Sequence, residues 1–244
     1  RYRGQVEALA SYFSEEALIR YRVRVEILYF IALSEELPHL RGILSKDRTD
    51  RLHDIYLSFT TEDALRIKEI ERVTNHDVKA VEYFIKEQLK DDASLAPSLE
   101  FVHFACTSED INNLSYALTI RGAVEQVWLP AARGLVEDLA AMAHEHADAA
   151  MLARTHGQPA TPTTLGKEMA VLAHRLRRQV RRVEATEYLG KINGATGTWA
   201  AHVVSVPGAD WPTLARSFVE GLGLTWNPLT TQIESHDWQA ELYS

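Results

Sequence analysis

The sequence contains a single cysteine, Cys106, so no disulfide can form within the chain. A lone thiol is typical of proteins from a reducing compartment such as the cytoplasm. No apolar run approaches the roughly 18 residues that a membrane-spanning helix needs. The first residues also lack the apolar region of a signal peptide. The sequence therefore favours a cytoplasmic protein and argues against a membrane-spanning helix.

Signatures of several cofactor-dependent classes are also missing. The 244 residues contain no GxGxxG fingerprint, no phosphate loop and no HExxH zinc helix. His144 and His146 are two residues apart, so on a helix they point to different faces and do not form a metal pair. We therefore expect no metal.

Basic residues are the minority: 26 lysines and arginines stand against 34 acidic residues, a net charge of −8. Such an excess disfavours a general affinity for nucleic acid. The basic run over residues 175–182 is divided by Leu176 and Val180, which is typical of one face of a helix. An anionic small molecule is not excluded, because a few local donors decide its binding.

The dominant pattern is helical and predicts an all-α fold. Ser14 is a typical N-cap, apolar residues then recur about every 3.6 residues, and Pro38 ends this helix. Pro130 is expected to kink or break a later helix. Residues 154–162 are predicted to form a loop, and residues 203–206 a short strand. Further helices are predicted at about residues 61–73, 78–90, 107–142, 163–189 and 210–222.

Asn75, His76 and Asp77 lie between two predicted helices. A histidine beside an aspartate can be made more basic by the carboxylate, as a proton-transfer group requires. The other interpretation is a helix cap with Asn75 or Asp77 as the N-cap, and the pattern by itself favours this cap.

Thr107 and Ser108 place hydroxyl groups at the start of the longest predicted helix. Such a position suits a phosphate or a carboxylate, because the helix start also offers free backbone N–H groups. Simple capping is the alternative, since Thr107 and Asp110 approximate a capping box. No base is placed to activate the neighbouring Cys106, so we expect a buried, inert thiol.

Two further polar segments are candidates for a site. The predicted loop around His156 joins two long helices and contains polar side chains beside stiffening glycine and proline residues. A structured turn with a solvated histidine explains it equally well. Gln232 lies in a third polar segment and either binds a ligand or stabilises its own turn.

Five segments, taken together and in order, resemble the bacterial type of adenylosuccinate lyase, a family of the fumarase/aspartase superfamily. They are residues 71–83, 104–113, 154–162, 190–195 and 231–234. The resemblance covers essentially the whole chain. It implies an almost entirely helical fold and a homotetramer whose active sites are shared between subunits. It also divides the chain into an N-terminal helical domain, residues 1–104, and the first, incomplete part of a central helical bundle, residues 105–244.

The reaction implied by the resemblance is β-elimination of fumarate from adenylosuccinate, which leaves AMP. The family also cleaves the succinylated aminoimidazole carboxamide ribotide of purine biosynthesis. By resemblance His156 is the general acid, and no cofactor or metal takes part. The positions that match the family's substrate-binding residues are Arg1, Tyr2, Asn75, His76, Asp77, Thr107, Ser108 and Gln232.

One departure from the family pattern is decisive for activity. The family's catalytic base is a serine in a flexible loop rich in glycine and serine, with a Met-Pro-Lys-Asn pattern, and no such segment occurs here. We expect this loop beyond Ser244, which makes the chain an N-terminal fragment that does not turn over substrate alone. Two alternatives stay open: a non-catalytic helical oligomeric scaffold, and a sister lyase that acts on another succinyl substrate.

Overall fold

The computed structural model describes residues 2–244, so Arg1 lies outside the described residues. The first half contains 3-10 turns at Arg3–Gln5 and Glu7–Leu9, then α1 (Ala10–Phe13), α2 (Glu15–Glu36), α3 (Lys46–Leu57), α4 (Thr61–Thr74) and α5 (Asp77–Leu89). A 3-10 turn at Ala96–Phe101 precedes α6 (Ser108–Ala123), a π-helical turn (Val124–Trp128), α7 (Leu129–Glu145), β1 (Ala150–Thr155), β2 (Gln158–Thr164) and α8 (Leu165–Glu184). The chain continues with β3 (Leu189–Gly190), α9 (Ala200–Ser205), α10 (Trp211–Gly221), β4 (Thr225–Trp226) and α11 (Asp237–Tyr243). Helices dominate, and the predicted all-α fold is confirmed. Among residues 2–244, no helix has both the length and the apolar composition that crossing a membrane requires.

The chain divides into two compact units. The first contains the residues up to Arg121 together with Glu187–Asp237, and the second contains Gly122–Thr186 with Trp238–Ser244. The domain boundary expected between residues 104 and 105 stays a prediction.

The core of the first unit lies among α2, α4 and α5. The Ser14 hydroxyl accepts the N–H of Ala17 at 3.0 Å and so starts α2 as predicted, and α2 ends at Glu36, just before Pro38. The apolar side chains buried between these helices include Ile19, Val23, Ile27, Phe30, Ile67, Val81, Phe84 and Ile85. This core fixes the position of the N-terminal end of α5, which carries candidate site residues.

The strand expected at residues 203–206 is wrong, because residues 203–205 belong to α9 and Val206 is its C-cap. The N–H groups of Val203 and Val206 donate to the carbonyls of Trp199 and His202, each at 2.8 Å. His202 is buried with only 1% of its surface exposed. Packing of this side chain therefore overrides the β propensity of the valines.

The second unit is built on the packing of α7 against α8. Leu129, Val136 and Val180 form its buried core. Gly166, at the start of α8, lies so close to α7 that a Cβ atom there would overlap the carbonyl oxygen of Ala143. Pro130 lies in the first turn of α7, directly after the π-helical turn. At the break expected near this proline, the helical hydrogen bonding changes from the π type to the α type.

The loop expected over residues 154–162 is wrong, because most of it forms an antiparallel hairpin. In this hairpin β1 pairs with β2, and Thr155 lies opposite Gln158. The two turn residues, His156 and Gly157, have positive φ angles of 51° and 75°. Two-residue hairpins favour such turns because their twist matches that of the strands. The prolines of β2 are tolerated because each strand of a two-stranded sheet has a free edge.

Candidate active site

The junction between α4 and α5 presents His76 in a fixed orientation. Asn75 adopts a left-handed conformation with φ of 51° and ends α4, and its N–H donates to the Glu71 carbonyl at 2.8 Å. His76 is the N-cap of α5, because its Nδ1 accepts the N–H of Lys79 at 3.1 Å. The expectation that Asn75 or Asp77 is the N-cap is therefore wrong, although the cap itself exists.

The capping bond also determines the tautomer of a neutral His76. Since Nδ1 accepts a hydrogen bond, the ring proton lies on Nε2. Nε2 is 3.3 Å from the Ser108 hydroxyl, to which it can donate. The carboxylate of Asp77 is 3.7 Å from Nδ1, beyond hydrogen-bond distance. Asp77 therefore does not orient the imidazole through the direct contact that the His-Asp pattern suggests.

The start of α6 brings Thr107 to Gln232. The Gln232 amide donates to Oγ1 of Thr107 at 3.2 Å, although the two residues are 125 positions apart. The backbone N–H of Thr107 donates to Oδ2 of Asp110 at 2.9 Å. This bond is one of the two in a capping box, the one in which the side chain of the third helical residue reaches back to the N-cap backbone. Hydroxyl groups at the positive end of a helix dipole can bind a phosphate or a carboxylate.

Asp110 anchors this helix start to the segment over residues 190–195. Its buried carboxylate accepts the N–H of Asn193 at 3.0 Å and the N–H of Gly194 at 3.1 Å. Asn113 adds a second bridge, because its Oδ1 accepts the N–H of Lys191 at 2.8 Å and its amide donates to the carbonyl of that residue at 3.0 Å. The sequence pattern predicts only a capping role for Asp110. Its charge at a helix start did not reveal a partner about 80 residues away.

The segment that precedes Thr107 is held by buried polar groups. His103 and Ala105 have positive φ angles of 62° and 58°. The hydroxyl of Tyr29 donates to the carbonyl of Phe104 at 3.2 Å. Burial raises the pKa of the Cys106 thiol well above its usual value, so the thiol stays protonated and is a poor nucleophile. This agrees with an inert cysteine, although Cys106 is only partly buried.

Glu26 and His103 form an ion pair beneath this segment. The carboxylate of Glu26 is fully buried and contacts Nδ1 of His103. Burial by itself would lower the pKa of His103, but the adjacent Glu26 carboxylate outweighs it and raises the pKa above the usual value. The pair therefore favours a charged imidazole below the strained backbone that leads to Thr107.

A second carboxylate cluster borders Gln232. Glu234 is buried, and its Oε1 accepts the amide of Asn227 at 3.1 Å. His236 lies between two carboxylates, with Nε2 at 3.8 Å from Glu109 and Nδ1 at 3.6 Å from Glu234. Burial raises the pKa of Glu109 above its usual value. These contacts connect the segment of Gln232 to the first turn of α6.

His156 belongs to the second unit and is exposed at the tip of its hairpin. In the first unit, the structure brings together His76 with Ser108 and Thr107 with Gln232. Tyr2 is also exposed, next to the first 3-10 turn, and its carbonyl accepts the N–H of Gln5 at 2.9 Å. Within residues 2–244, no group of three or more histidine, cysteine or acidic side chains could hold a metal ion.

Comparison with known proteins defines the class. The family model described as Lyase matches residues 1–244, and the chain therefore belongs to this lyase family. Adenylosuccinate lyase of Escherichia coli strain K12 is 49% identical over 248 residues, which cover 100% of this chain and 54% of the relative. Adenylosuccinate lyase of Dictyostelium discoideum is 47% identical over 249 residues, covering 99% of this chain and 53% of the relative. The resemblance to adenylosuccinate lyases is confirmed, and the chain spans about half the length of the curated relatives it matches.

Solved structures agree on the fold. A fumarate lyase from Mesorhizobium sp. BNC1 superposes with a TM-score of 0.76 at 22% identity, over 96% of this chain and 52% of that one. A β-carboxy-cis,cis-muconate cycloisomerase from Acinetobacter calcoaceticus sp. ADP1 gives a TM-score of 0.71 at 20% identity, over 97% of this chain and 52% of that one. At these identities the likeness concerns the fold alone.

Proposed function

We propose that the chain is part of an adenylosuccinate lyase, which releases fumarate from adenylosuccinate by β-elimination and leaves AMP. The proposal includes the succinylated aminoimidazole carboxamide ribotide as a second substrate. The observation that carries it is the meeting of His76, Thr107, Ser108 and Gln232 at the start of α6. The names of the curated relatives support the same reaction.

The donors at the start of α6 suit an anionic nucleotide. In the proposed complex, the hydroxyls of Thr107 and Ser108 and the helix dipole bind a phosphate or a carboxylate of the substrate. The Nε2–H of His76 and the amide of Gln232 add further donors. For Arg1, Tyr2 and Asn75, direct substrate binding is proposed on the resemblance alone.

The elimination itself needs two proton transfers. A base removes a proton from the carbon beside a carboxylate, the C–N bond breaks, and an acid protonates the departing nitrogen. We assign the acid to His156, because an imidazole can hold and release a proton near neutral pH. The base is proposed to be a serine in the part of the relatives that this chain does not match. A homotetramer with shared active sites and a cytoplasmic location complete the proposal.

The test uses the full-length protein with adenylosuccinate and measures AMP and fumarate by NMR. Equal amounts of the two products are expected. Fumarate from a succinylated amine without a nucleotide, and none from either purine substrate, would indicate a sister lyase. No fumarate from any of these compounds would indicate a scaffold.

A variant of the site sharpens this test. Thr107→Val keeps the β-branched shape and removes the hydroxyl that Gln232 contacts, so KM is expected to rise. Thr49→Val is the matched control, because the Thr49 hydroxyl is exposed on α3 and contacts only the Ser45 carbonyl among the hydrogen bonds described for it. Equal KM values for the two variants would contradict a binding role for Thr107.

A further inference from the structure

Arg22 of α2 connects two helix starts that carry candidate site residues. Its Nη2 lies 2.7 Å from Oδ2 of Asp77, the first residue of α5. Its Nε donates to Oδ1 of Asn112 on α6 at 2.9 Å. The Arg22 side chain is only 8% exposed. A guanidinium buried to this degree needs partners for its donors, so both contacts contribute to the packing.

Both partners of Arg22 are near the contact between His76 and Ser108. Asp77 directly follows His76, and Asn112 lies one helical turn after Ser108. The imidazole Nε2 and the Ser108 hydroxyl are 3.3 Å apart. By holding the starts of α5 and α6 together, Arg22 sets the separation at which imidazole and hydroxyl can contact the same ligand group.

Arg22 also offsets the charge of Asp77. Oδ1 of Asp77 accepts the N–H of Val78 at 2.9 Å, and Oδ2 contacts Arg22, so both carboxylate oxygens have partners. Without the guanidinium, this negative charge beside His76 would repel the phosphate and carboxylates of an anionic substrate.

We propose that Arg22 is a positioning residue of this site, which fixes His76 against Ser108 and neutralises Asp77. The inference rests on the proposed function for the identity of the ligand. It gives Asp77 an indirect role, in which the carboxylate acts through Arg22. This replaces the direct substrate contact that the family resemblance implies.

Arg22→Lys is the informative substitution. Lysine keeps the positive charge, but a single ammonium group cannot reproduce the planar fork that reaches two partners in fixed directions. Arg20→Lys is the matched control on the same helix. The Arg20 guanidinium donates to the Ser11 carbonyl at 2.9 Å in an exposed hydrogen bond, and two residues along a helix place it on a different face.

Steady-state kinetics of the full-length protein with adenylosuccinate provide the first readout. We expect Arg22→Lys to lower kcat/KM by about 10²-fold, the effect of a misplaced binding group, and Arg20→Lys to match the wild type. In the double variant Arg22→Met/Asp77→Asn, KM should recover relative to Arg22→Met because no unpaired carboxylate is left, while kcat stays low. Wild-type kcat and KM in Arg22→Lys would overturn the proposal. The proposal would also be overturned if the activity of Arg22→Lys falls only because less of the protein is folded, while KM and the kcat of each folded site stay normal.

The imidazole ¹⁵N signals of His76 provide a readout that does not depend on turnover. They are assigned by comparison with His76→Gln. Arg22→Lys should shift them, and Arg20→Lys should not; unchanged signals in Arg22→Lys would contradict positioning. If the wild type releases no fumarate, the proposed function fails, and these signals still decide whether Arg22 positions the ring.

Discussion

The carboxylate of Asp110 and the ammonium group of Lys191 are 2.8 Å apart, and both side chains are fully buried. The Lys191 ammonium also donates to the Gly194 carbonyl at 3.3 Å. Asp110 accepts the N–H of Thr107, so the ion pair connects residues 190–195 to the start of α6. Charges removed from water in this way are tolerated only because each has a partner and further hydrogen bonds.

Removal of one member of this pair should be costly. We expect Lys191→Met to lower the free energy of unfolding by about 3–5 kcal/mol, because the Asp110 charge is left buried and unpaired. The double variant Asp110→Asn/Lys191→Met should lose less than the two single variants combined. Chemical denaturation measures both. The control is Lys167→Met, which breaks an exposed pair with Glu168. Equal losses for Lys167→Met and Lys191→Met would contradict this account.

His202 should make stability depend on pH. Burial lowers its pKa to about 4, against an ordinary value of about 6.5. The unfolded chain therefore takes up a proton at higher pH than the folded chain. The contribution of neutral His202 to the free energy of unfolding is complete above the pKa that this histidine has in the unfolded chain. The contribution is lost as the pH falls from about 6.5 to about 4, by an amount on the order of 3 kcal/mol.

This prediction is checked by the free energy of unfolding at several pH values between these limits. His202→Gln should flatten the dependence in this range, because the titrating group is gone. His39→Gln, at an exposed histidine, should leave the wild-type dependence in place. A His202→Gln protein with the wild-type pH dependence would show that another group is responsible.

Gly197 is expected to tolerate no side chain. It has a φ of 72°, and a Cβ atom there would overlap the Thr230 carbonyl oxygen. Gly197→Ala should lower the free energy of unfolding by roughly 1–3 kcal/mol, since the backbone is strained and the segment before Gln232 must move. Gly208→Ala, where the added Cβ meets open space, is the control. Thermal unfolding measures the loss of stability, and KM measures the effect of moving the segment before Gln232. Similar values of both quantities for the two alanine variants would refute the prediction.

His156→Asn separates the proposed acid from the turn that carries it. Asparagine tolerates the positive φ of this position, so the hairpin should keep its shape and the melting temperature should not change. An asparagine amide cannot supply the proton, so we expect kcat of the full-length protein to fall about 10²–10⁴-fold. An active His156→Asn enzyme would exclude the histidine as the acid.

Features that depend on neighbouring residues were predictable from the sequence. The Ser14 cap and the end of α2 before Pro38 follow from local hydrogen bonding and from proline geometry. The anion site that the residue types at the start of α6 indicate stays a prediction. The hairpin around His156 was missed, because its strands contain prolines that argue against a strand and their pairing is not a local property.

By itself, the sequence determined most of the long helices, many of their ends and the identity of the polar groups, because helix periodicity and capping operate within a few residues. Only the tertiary structure decided which of these groups meet. Arg22 and Asn112 are 90 residues apart, and Gln232 and Thr107 are 125 apart. For Arg22, burial gives the physical reason: a guanidinium removed from water needs partners for its donors, and the packing of helices distant in the sequence decides which residues supply them.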